Sequence, residues 1–293
     1  MGEETATQRE VKKQMATTSI NKQLGMAMQR GSSTPDRAKT PTSSLEGWGV
    51  SSSLHIGAHN HSHLPSAQMR TGSLINSIEF AEPTQLRSRK VVTRSRFRST
   101  GKYPSWKMGR MIQWESQHER NAFRLLDVDP AVTRFAEQPC IIDYVMHGEP
   151  HRHYPDIFVE TEQGMELWEV KTAAEASQTD VSHRTAFLTR ELPVFGYSYR
   201  LKLAEDLGRQ PRLSNALSVL RYGRYKVSEI EREAIRIALN RRHSLLWSDA
   251  CAGTYGFRGR QIICALLLHG ELAFDMDSPL QRSTCFVASK GSL

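Results

Sequence analysis

Three polar residues in the middle of the chain, Asp156, Glu169 and Lys171, could together form a reactive site. Twelve residues separate the pair Pro155-Asp156 from the triplet Glu169-Val170-Lys171. Because residues two apart on a strand point to the same side, Glu169 and Lys171 project together if this segment is extended. Asp156 lies on the preceding strand of a predicted hairpin and can project beside them. The spacing therefore predicts two carboxylates and one amine on one side of a sheet.

This set of side chains is typical of a magnesium site that hydrolyses phosphodiester bonds. Two neighbouring carboxylates repel each other unless a cation lies between them, and Mg²⁺ binds hard oxygen ligands while it keeps several waters. A metal-bound water can attack a phosphodiester in line, and the ion stabilises charge on the phosphoryl and leaving oxygens. Lys171 would orient that water or help to deprotonate it. The same residues would also fit an exposed salt-bridge ladder on a surface hairpin.

The elements predicted around these residues form a compact α/β unit with a mixed sheet. Ala122, Phe123 and Leu126 follow helical spacing, and Asp129-Pro130 ends that helix. A turn at 161–164 joins the two strands that carry the site. In chain order, the predicted elements are a helix over Glu115–Leu126, strands over Ile141–Val145, His153–Glu160 and Met165–Val170, a helix over 174–192 and a strand over Val194–Leu203.

The helix before the site supplies two candidates for a further metal ligand. Glu115 and Glu119 are four residues apart and share one face of the helix. The spacing does not choose between them. Both could also be solvated helix charges, and for Glu115 that interpretation is favoured.

The last third of the chain has the layout of a winged helix, which binds DNA in many proteins and docks proteins in others. A charged amphipathic helix is predicted first, with Ile230, Ala234, Ile237 and Ala238 on its apolar face. The predicted elements are helices over Ser228–Arg242, Leu245–Ala252 and Arg260–His269, then strands over Glu271–Asp277 and Arg282–Val287.

Residues 1–83 are rich in Ser, Thr, Gln and Gly and are predicted to be a disordered tail. Their four clustered histidines, at 55, 59, 61 and 63, could bind a metal, but nothing nearby would fix the ligand geometry. From Pro83 to Trp114 there is no acidic residue, and we expect this segment to track a phosphate backbone rather than to be only a solvated linker. Its basic residues are Arg87, Arg89, Lys90, Arg94, Arg96, Arg98, Lys102, Lys107 and Arg110.

The composition favours an anionic partner such as nucleic acid. The chain of 293 residues has 39 Lys and Arg against 31 Asp and Glu, a formal net charge of +8. Its four cysteines form no Cys-x-x-Cys pair, so they are predicted to be buried free thiols in a reducing cytosol. The acidic start Met-Gly-Glu-Glu and the lack of a long apolar run predict a soluble, cytoplasmic protein.

The motifs between about residues 85 and 225 together resemble the TnsA family, the endonuclease subunit of heteromeric transposases. The series is more specific than the Asp and Glu-x-Lys pattern by itself. The stretches that carry it are Gly101-Lys102-Tyr103-Pro104-Ser105, Trp114-Glu115-Ser116-Gln117-His118-Glu119-Arg120, Leu125-Leu126-Asp127, Glu137-Gln138-Pro139, Tyr154-Pro155-Asp156, Glu169-Val170-Lys171, Gly196-Tyr197 and Arg221-Tyr222. The N-terminal tail lies outside the resemblance, and the C-terminal third matches only in layout.

The resemblance implies a fold and a site. The fold is the PD-(D/E)xK nuclease fold of type II restriction enzymes, a restriction-endonuclease-like mixed sheet flanked by helices over 84–222, followed by the winged-helix-like domain over 223–293. The family's helix glutamate corresponds to Glu119, and Gln138 to a position with a structural or site-supporting role. The implied catalytic residues are Glu119, Asp156, Glu169 and Lys171, and the implied metal ligands are Glu119, Asp156, Glu169 and Val170. Mg²⁺ is the implied cofactor, with Mn²⁺ as a substitute.

The resemblance also implies partners. Such a subunit cuts the 5′ strands of double-stranded DNA at the transposon ends, and a DDE-type transposase with an RNase H-like core cuts and joins the 3′ ends. The C-terminal domain would contact that transposase or the DNA, and an ATP-dependent regulator of transposition is a further partner to consider. Two alternatives stay open: a restriction or repair nuclease of the same fold, and a non-catalytic DNA-binding adaptor built on it.

Overall fold

The computed structural model describes residues 74–81 and 99–289. The predicted tail up to residue 73, with its four histidines, and the basic residues from Arg87 to Arg98 lie outside them. No helix within the described residues is both long enough and apolar enough to span a membrane.

The described chain contains short strands and helices in alternation, so the predicted mixed α/β class is confirmed. The strands are β1 Ile75–Phe80, β2 Gly101–Pro104, β3 Met111–Trp114, β4 Val132–Glu137, β5 Cys140–Met146, β6 Glu149–His153, β7 Ile157–Thr161, β8 Gly164–Lys171, β9 Tyr197–Leu203, β10 Leu245–Leu246, β11 Leu272–Ala273 and β12 Cys285–Ala288. The helices are α1 Gln117–Val128, α2 Ala173–Ala176, α3 Thr179–Glu191, α4 Ala204–Leu207, α5 Arg212–Gly223, α6 Glu229–Arg242, α7 Trp247–Ala252 and α8 Gly259–Leu268, with a 3₁₀ turn at Leu192–Phe195.

A four-stranded mixed sheet in the order β4-β7-β8-β9 positions the site residues. The β7–β8 hairpin is antiparallel, as the sequence predicts, and Thr161 pairs with Gly164 at its turn. Strand β9 runs parallel to β8, so the chain crosses over through α2 and α3 to reach it. One face packs on α1, where Phe123 meets Phe135 and Ile157. The other face carries Phe158, Leu167 and Tyr199, which pack with Leu188 of α3.

One predicted strand is wrong in a way that matters for the site. The segment predicted as a single strand over His153–Glu160 forms two strands, β6 and β7, which belong to different sheets. Pro155 lies between them, and its lack of a backbone N–H prevents a continuous ladder there. Asp156 therefore lies just before a strand, at the point where the chain changes sheet.

A second correction concerns the N-terminal tail. Residues 75–80, predicted to be disordered, form β1 and pair antiparallel with β5, which in turn pairs with β6. Ile75 is buried there and packs in the same core as Ile142. This segment thus supplies an edge strand that pairs with the free edge of β5.

The C-terminal part is a separate apolar core built around α8. Helix α8 is buried almost all round, because α5 packs on it and the short sheet β10-β12-β11 closes the other side. A Cβ atom at Gly223 would lie 2.6 Å from the Cys264 carbonyl oxygen, so only glycine allows α5 to approach this closely. Helix α5 itself was not predicted. It shares this core, and all described residues fall in one compact unit.

The predicted apolar face of α6 is wrong. Ile230 is 84% exposed and Ile237 43% exposed, whereas Ile235 and Leu239 are buried. The helix carries apolar residues on two stripes, and Ile235 and Leu239 of the second stripe belong to the C-terminal core. The prediction that the cysteines are buried also fails in part, because all four are free but only Cys140 and Cys264 are buried, while Cys251 and Cys285 are exposed.

Candidate active site

Asp156 lies where β7 and β8 separate. Its backbone N–H donates to the Trp168 carbonyl at 2.9 Å, and its own carbonyl accepts from the Gln138 N–H at 2.8 Å. The Val170 N–H donates to Asp156 Oδ2 at 2.7 Å, which holds the carboxylate against the next strand. Asp156 thus lies next to the strand that carries Glu169, as the sequence predicts.

The backbone of Val170 faces the same gap. In a strand, the N–H and C=O of one residue point to the same edge, and residues two apart share that edge. The Trp168 carbonyl and the Val170 N–H both contact Asp156. The Val170 carbonyl therefore points to the same edge of β8, toward the segment that contains Asp156.

Glu169 is the centre of a buried polar cluster, with only 4% of the residue exposed. Its Oε1 atom lies 2.7 Å from Lys171 Nζ and 3.5 Å from an Arg184 terminal nitrogen. Its Oε2 atom lies 3.4 Å from His153 Nε2, yet accepts no hydrogen bond from the described residues. One buried carboxylate oxygen is therefore left without a donor.

Glu119 is buried in the first turn of α1 and is fixed by local hydrogen bonds. Its Oε2 accepts from the Glu115 N–H at 2.9 Å, and its Oε1 accepts from the Ser116 hydroxyl at 2.9 Å. Ser116 caps the helix by accepting from the Glu119 N–H. Glu115 is half-buried and accepts from Gln138 Nε2 at 3.0 Å, so the interpretation of Glu115 as a solvated charge is wrong.

Gln138 supports the site from the turn between β4 and β5. Its φ of 42° is unusual for a residue other than glycine. From this position its side chain reaches Glu115 and its backbone N–H reaches Asp156. Next to it, buried Glu137 binds Arg110 through two hydrogen bonds of 3.0 and 2.7 Å. The turn thus connects the segment that leads into α1 with Asp156.

The carboxylates at the site repel one another. Burial raises the pKa of Asp156 well above its usual range, and the charges of Glu169 and Glu119 raise it further. Burial also raises the pKa of Glu119. Burial alone would lower the pKa of Lys171, but the carboxylates of Glu169 and Asp156 outweigh it and the pKa is raised. Lys171 is therefore a cation that partly offsets an excess of negative charge.

Three residues of this cluster were not singled out from the sequence. His153 is buried, shares a 3.0 Å hydrogen bond with the Tyr199 hydroxyl, and has its pKa lowered to about 3 by burial and by Arg184 and Lys171. It is therefore neutral. No local pattern in the sequence brings His153, Tyr199 or Arg184 to Glu169.

The donor set fits a hard divalent cation in part. No group of three or more His, Cys, Asp or Glu side chains is arranged to hold a metal ion within 74–81 and 99–289. Two observations nevertheless fit such an ion: the unpartnered Oε2 of Glu169 and the mutual repulsion that raises the pKa of Asp156. A divalent cation would satisfy that oxygen and lower that pKa.

A scan against protein-family models gives no match for this chain, and a search of the curated proteins gives no significant match either.

Proposed function

We propose that this protein is a metal-dependent DNA endonuclease with a restriction-endonuclease-like nuclease region. The observation that carries the proposal is the position of two carboxylates, half-buried Asp156 and buried Glu169, with Lys171 beside them at the divergence of β7 and β8. Buried charges are expensive unless they are used, and strongly perturbed carboxylates in such a position favour a functional site. The sheet order β4-β7-β8-β9, flanked by α1 and α3, suits this fold.

Each residue has a chemical role in this proposal. Asp156, Glu169, Glu119 and the Val170 carbonyl would hold Mg²⁺, or Mn²⁺ in its place. The ion supplies an acidified water and stabilises charge on the phosphate. Lys171, a cation here, would orient the attacking water by donating a hydrogen bond to it, and Gln138 keeps the Asp156 backbone in position. Phosphodiester hydrolysis would leave a 5′-phosphate and a 3′-hydroxyl.

The biological setting we propose is that of a TnsA-like subunit that cuts 5′ strands at transposon ends beside a DDE-type transposase. The motif series supports the family, and the C-terminal order α6, β10, α7, α8, β11, β12 suits a winged helix. A DNA-reading winged helix inserts its third helix into the major groove. Here that helix is α8, which α5 covers. This packing favours docking of the partner proteins, transposase or ATP-dependent regulator, over base reading by α8.

The test is strand cleavage of duplex DNA that carries the cognate transposon ends, with Mg²⁺ and the cognate transposase. We expect the wild type to cut the 5′ strands and Asp156→Asn to be inactive. Asp143→Asn is the matched control, because Asp143 pairs with Arg152 on the other sheet and touches none of the site. Equal cleavage by wild type and Asp156→Asn would refute the site. Equal cleavage of DNA without transposon ends and without transposase would instead favour a restriction or repair nuclease.

A non-catalytic DNA-binding adaptor is the second candidate, and one observation favours it. The ion pair of Lys171 with Glu169 at 2.7 Å satisfies part of the site without a metal. An adaptor would bind duplex DNA with the same affinity in Mg²⁺ and in EDTA. A nuclease would show Mg²⁺ binding by calorimetry, and Glu169→Gln would abolish it.

A further inference from the structure

Arg184 is a second cation on the most buried carboxylate of the site. It lies on α3, and a terminal nitrogen reaches 3.5 Å from Glu169 Oε1, the same oxygen that Lys171 contacts at 2.7 Å. Two cations thus share one carboxylate oxygen, while the other oxygen of Glu169 accepts no hydrogen bond from the described residues. This distribution is poor for a purely structural ion pair, which would use both oxygens.

The guanidinium of Arg184 has unused hydrogen-bonding capacity. Only 21% of its side chain is exposed, and its buried Nε atom has no acceptor in the part of the chain that the structure describes. A buried donor without an acceptor destabilises a fold, so such a group calls for an acceptor that a ligand supplies. The contact to Glu169 at 3.5 Å is also long for a charge-assisted hydrogen bond.

The position of Arg184 is firmly set. Val181, Phe187 and Leu188 of the same helix are buried, and Leu188 packs against the sheet. A helix anchored in this way presents a side chain more reproducibly than a loop does. The guanidinium is therefore held at one edge of the site, next to the Glu169 carboxylate and the neutral His153 ring.

We propose that Arg184 binds a phosphate of the DNA strand at this site. The inference rests on the proposed function. Glu169 cannot serve a metal ion and two cations equally, so in the loaded site Arg184 and Lys171 need another anion. A DNA phosphate is the anion that the substrate brings. Its non-bridging oxygens match the planar fork of a guanidinium, which donates two parallel hydrogen bonds.

The first test is the salt dependence of duplex binding by the full chain, measured by anisotropy with Ca²⁺ to prevent cleavage. Arg184→Gln should weaken binding roughly tenfold and reduce the slope of log affinity against log salt by about 0.9, the value for one lost phosphate contact. Arg190→Gln is the matched control, because Arg190 lies on the same helix, is 69% exposed and pairs with Glu191. Equal slopes for the two variants would overturn the proposal.

The second test separates a phosphate contact from a structural role. Methylphosphonate replaces the scissile phosphate and each flanking phosphate in turn, and binding is measured for wild type, Arg184→Gln and Arg184→Lys. If Arg184 contacts one phosphate, that replacement weakens wild type but not Arg184→Gln, and Arg184→Lys recovers the salt slope but only part of the affinity. If Arg184 only supports the fold, the two changes are additive at every phosphate.

The failure of this inference is distinguishable from the failure of the nuclease proposal. If wild type does not cleave with transposase present while Arg184→Gln still lowers the salt slope, the nuclease proposal fails and the phosphate contact stands. If wild type cleaves and Arg184→Gln matches Arg190→Gln in both tests, only the phosphate contact fails. Circular dichroism melts of both variants verify that each is folded at the assay temperature.

Discussion

The site at β7 and β8 and the C-terminal core around α8 bury very different side chains. Near the site, the buried residues include Glu119, His153 and Glu169, and Asp156 carries a strongly raised pKa. Around α8, every residue from Ile262 to Leu268 is apolar and buried. Burial of apolar surface stabilises a fold, whereas burial of crowded like charges destabilises it. This contrast is the one expected if the first region is used for chemistry, as we propose, and the second stabilises the fold.

Glu169→Gln should give the largest effect, and mainly on activity. Removal of a buried metal ligand is expected to reduce cleavage at least about a thousandfold. The amide relieves the repulsion with Asp156 but also removes the charge that pairs with Lys171 and Arg184. Because these effects oppose each other, the free energy of unfolding without metal should change far less than the activity. Cleavage kinetics and urea unfolding of the same preparations measure both. If the activity fell only as far as the loss of folded protein explains, the site would not differ from the C-terminal core in its role.

Ile263→Ala should have the opposite profile. Ile263 is fully buried, and truncation of such a residue costs about 2–5 kcal/mol. Urea unfolding should report this loss, while cleavage at a temperature where the variant is folded should be nearly unchanged. The control is Ile230→Ala on the exposed side of α6, expected to stay within about 0.5 kcal/mol of wild type. Similar losses for both variants would contradict the described packing of α8.

The affinity of the site for Mg²⁺ should depend on pH. Because the pKa of Asp156 is raised, a proton competes with the metal over a wider pH range than at an ordinary carboxylate. Mg²⁺ affinity should therefore rise with pH, by up to about tenfold per unit below that pKa. Calorimetry at several pH values measures it. An affinity that is independent of pH across the range in which the protein is folded would contradict the raised pKa.

The same shift has a consequence for stability without metal. A carboxyl with a raised folded pKa binds more protons in the folded state than in the unfolded state, so its contribution to stability falls as pH rises. Asp156→Asn should therefore increase the free energy of unfolding at neutral pH and lose that advantage in acid. Urea unfolding of metal-free protein at two pH values tests the sign. A neutral or destabilising substitution at neutral pH would show that the carboxylate is not strained.

Ser228→Ala should give the smallest effect. Ser228 caps α6 in a reciprocal box with Glu231, and loss of such a cap costs about 1 kcal/mol. Ser218→Ala, inside α5, is the control and should be neutral, because alanine suits a helix interior better than serine. Urea unfolding of the two variants measures the difference. Equal stabilities would mean that the cap contributes little to the C-terminal core.

Local patterns were sufficient where the structure is local. The β7–β8 hairpin that carries Glu169 and begins one residue after Asp156 follows from two extended segments and a short turn, and the buried face of α1 follows from helical spacing. The prediction of one strand over His153–Glu160 failed because β6 pairs with β5, whereas β7 pairs with β4. These pairings between separate segments decide that the chain changes sheet at Pro155, and the local sequence does not show them. Periodicity also could not show which of the two apolar stripes of α6 is buried, because that depends on which stripe packs into the C-terminal core.

Some residues of the site could be predicted from local sequence patterns, whereas others are brought there only by the tertiary fold. Glu169 and Lys171 share a side because of strand geometry, so their types and spacing were enough. Arg184 and Tyr199 reach the site through the crossover from β8 to β9, which no short motif encodes. Their role comes from distances and unpartnered atoms, which appear only in three dimensions.

The proposed function requires that Asp156 and Glu169 hold a divalent metal ion. The decisive experiment is calorimetric titration of Mg²⁺ into the wild-type chain, Asp156→Asn and Asp143→Asn. We expect one binding event in the wild type and in Asp143→Asn, and none in Asp156→Asn. Indistinguishable titrations of the wild type and Asp156→Asn would contradict it.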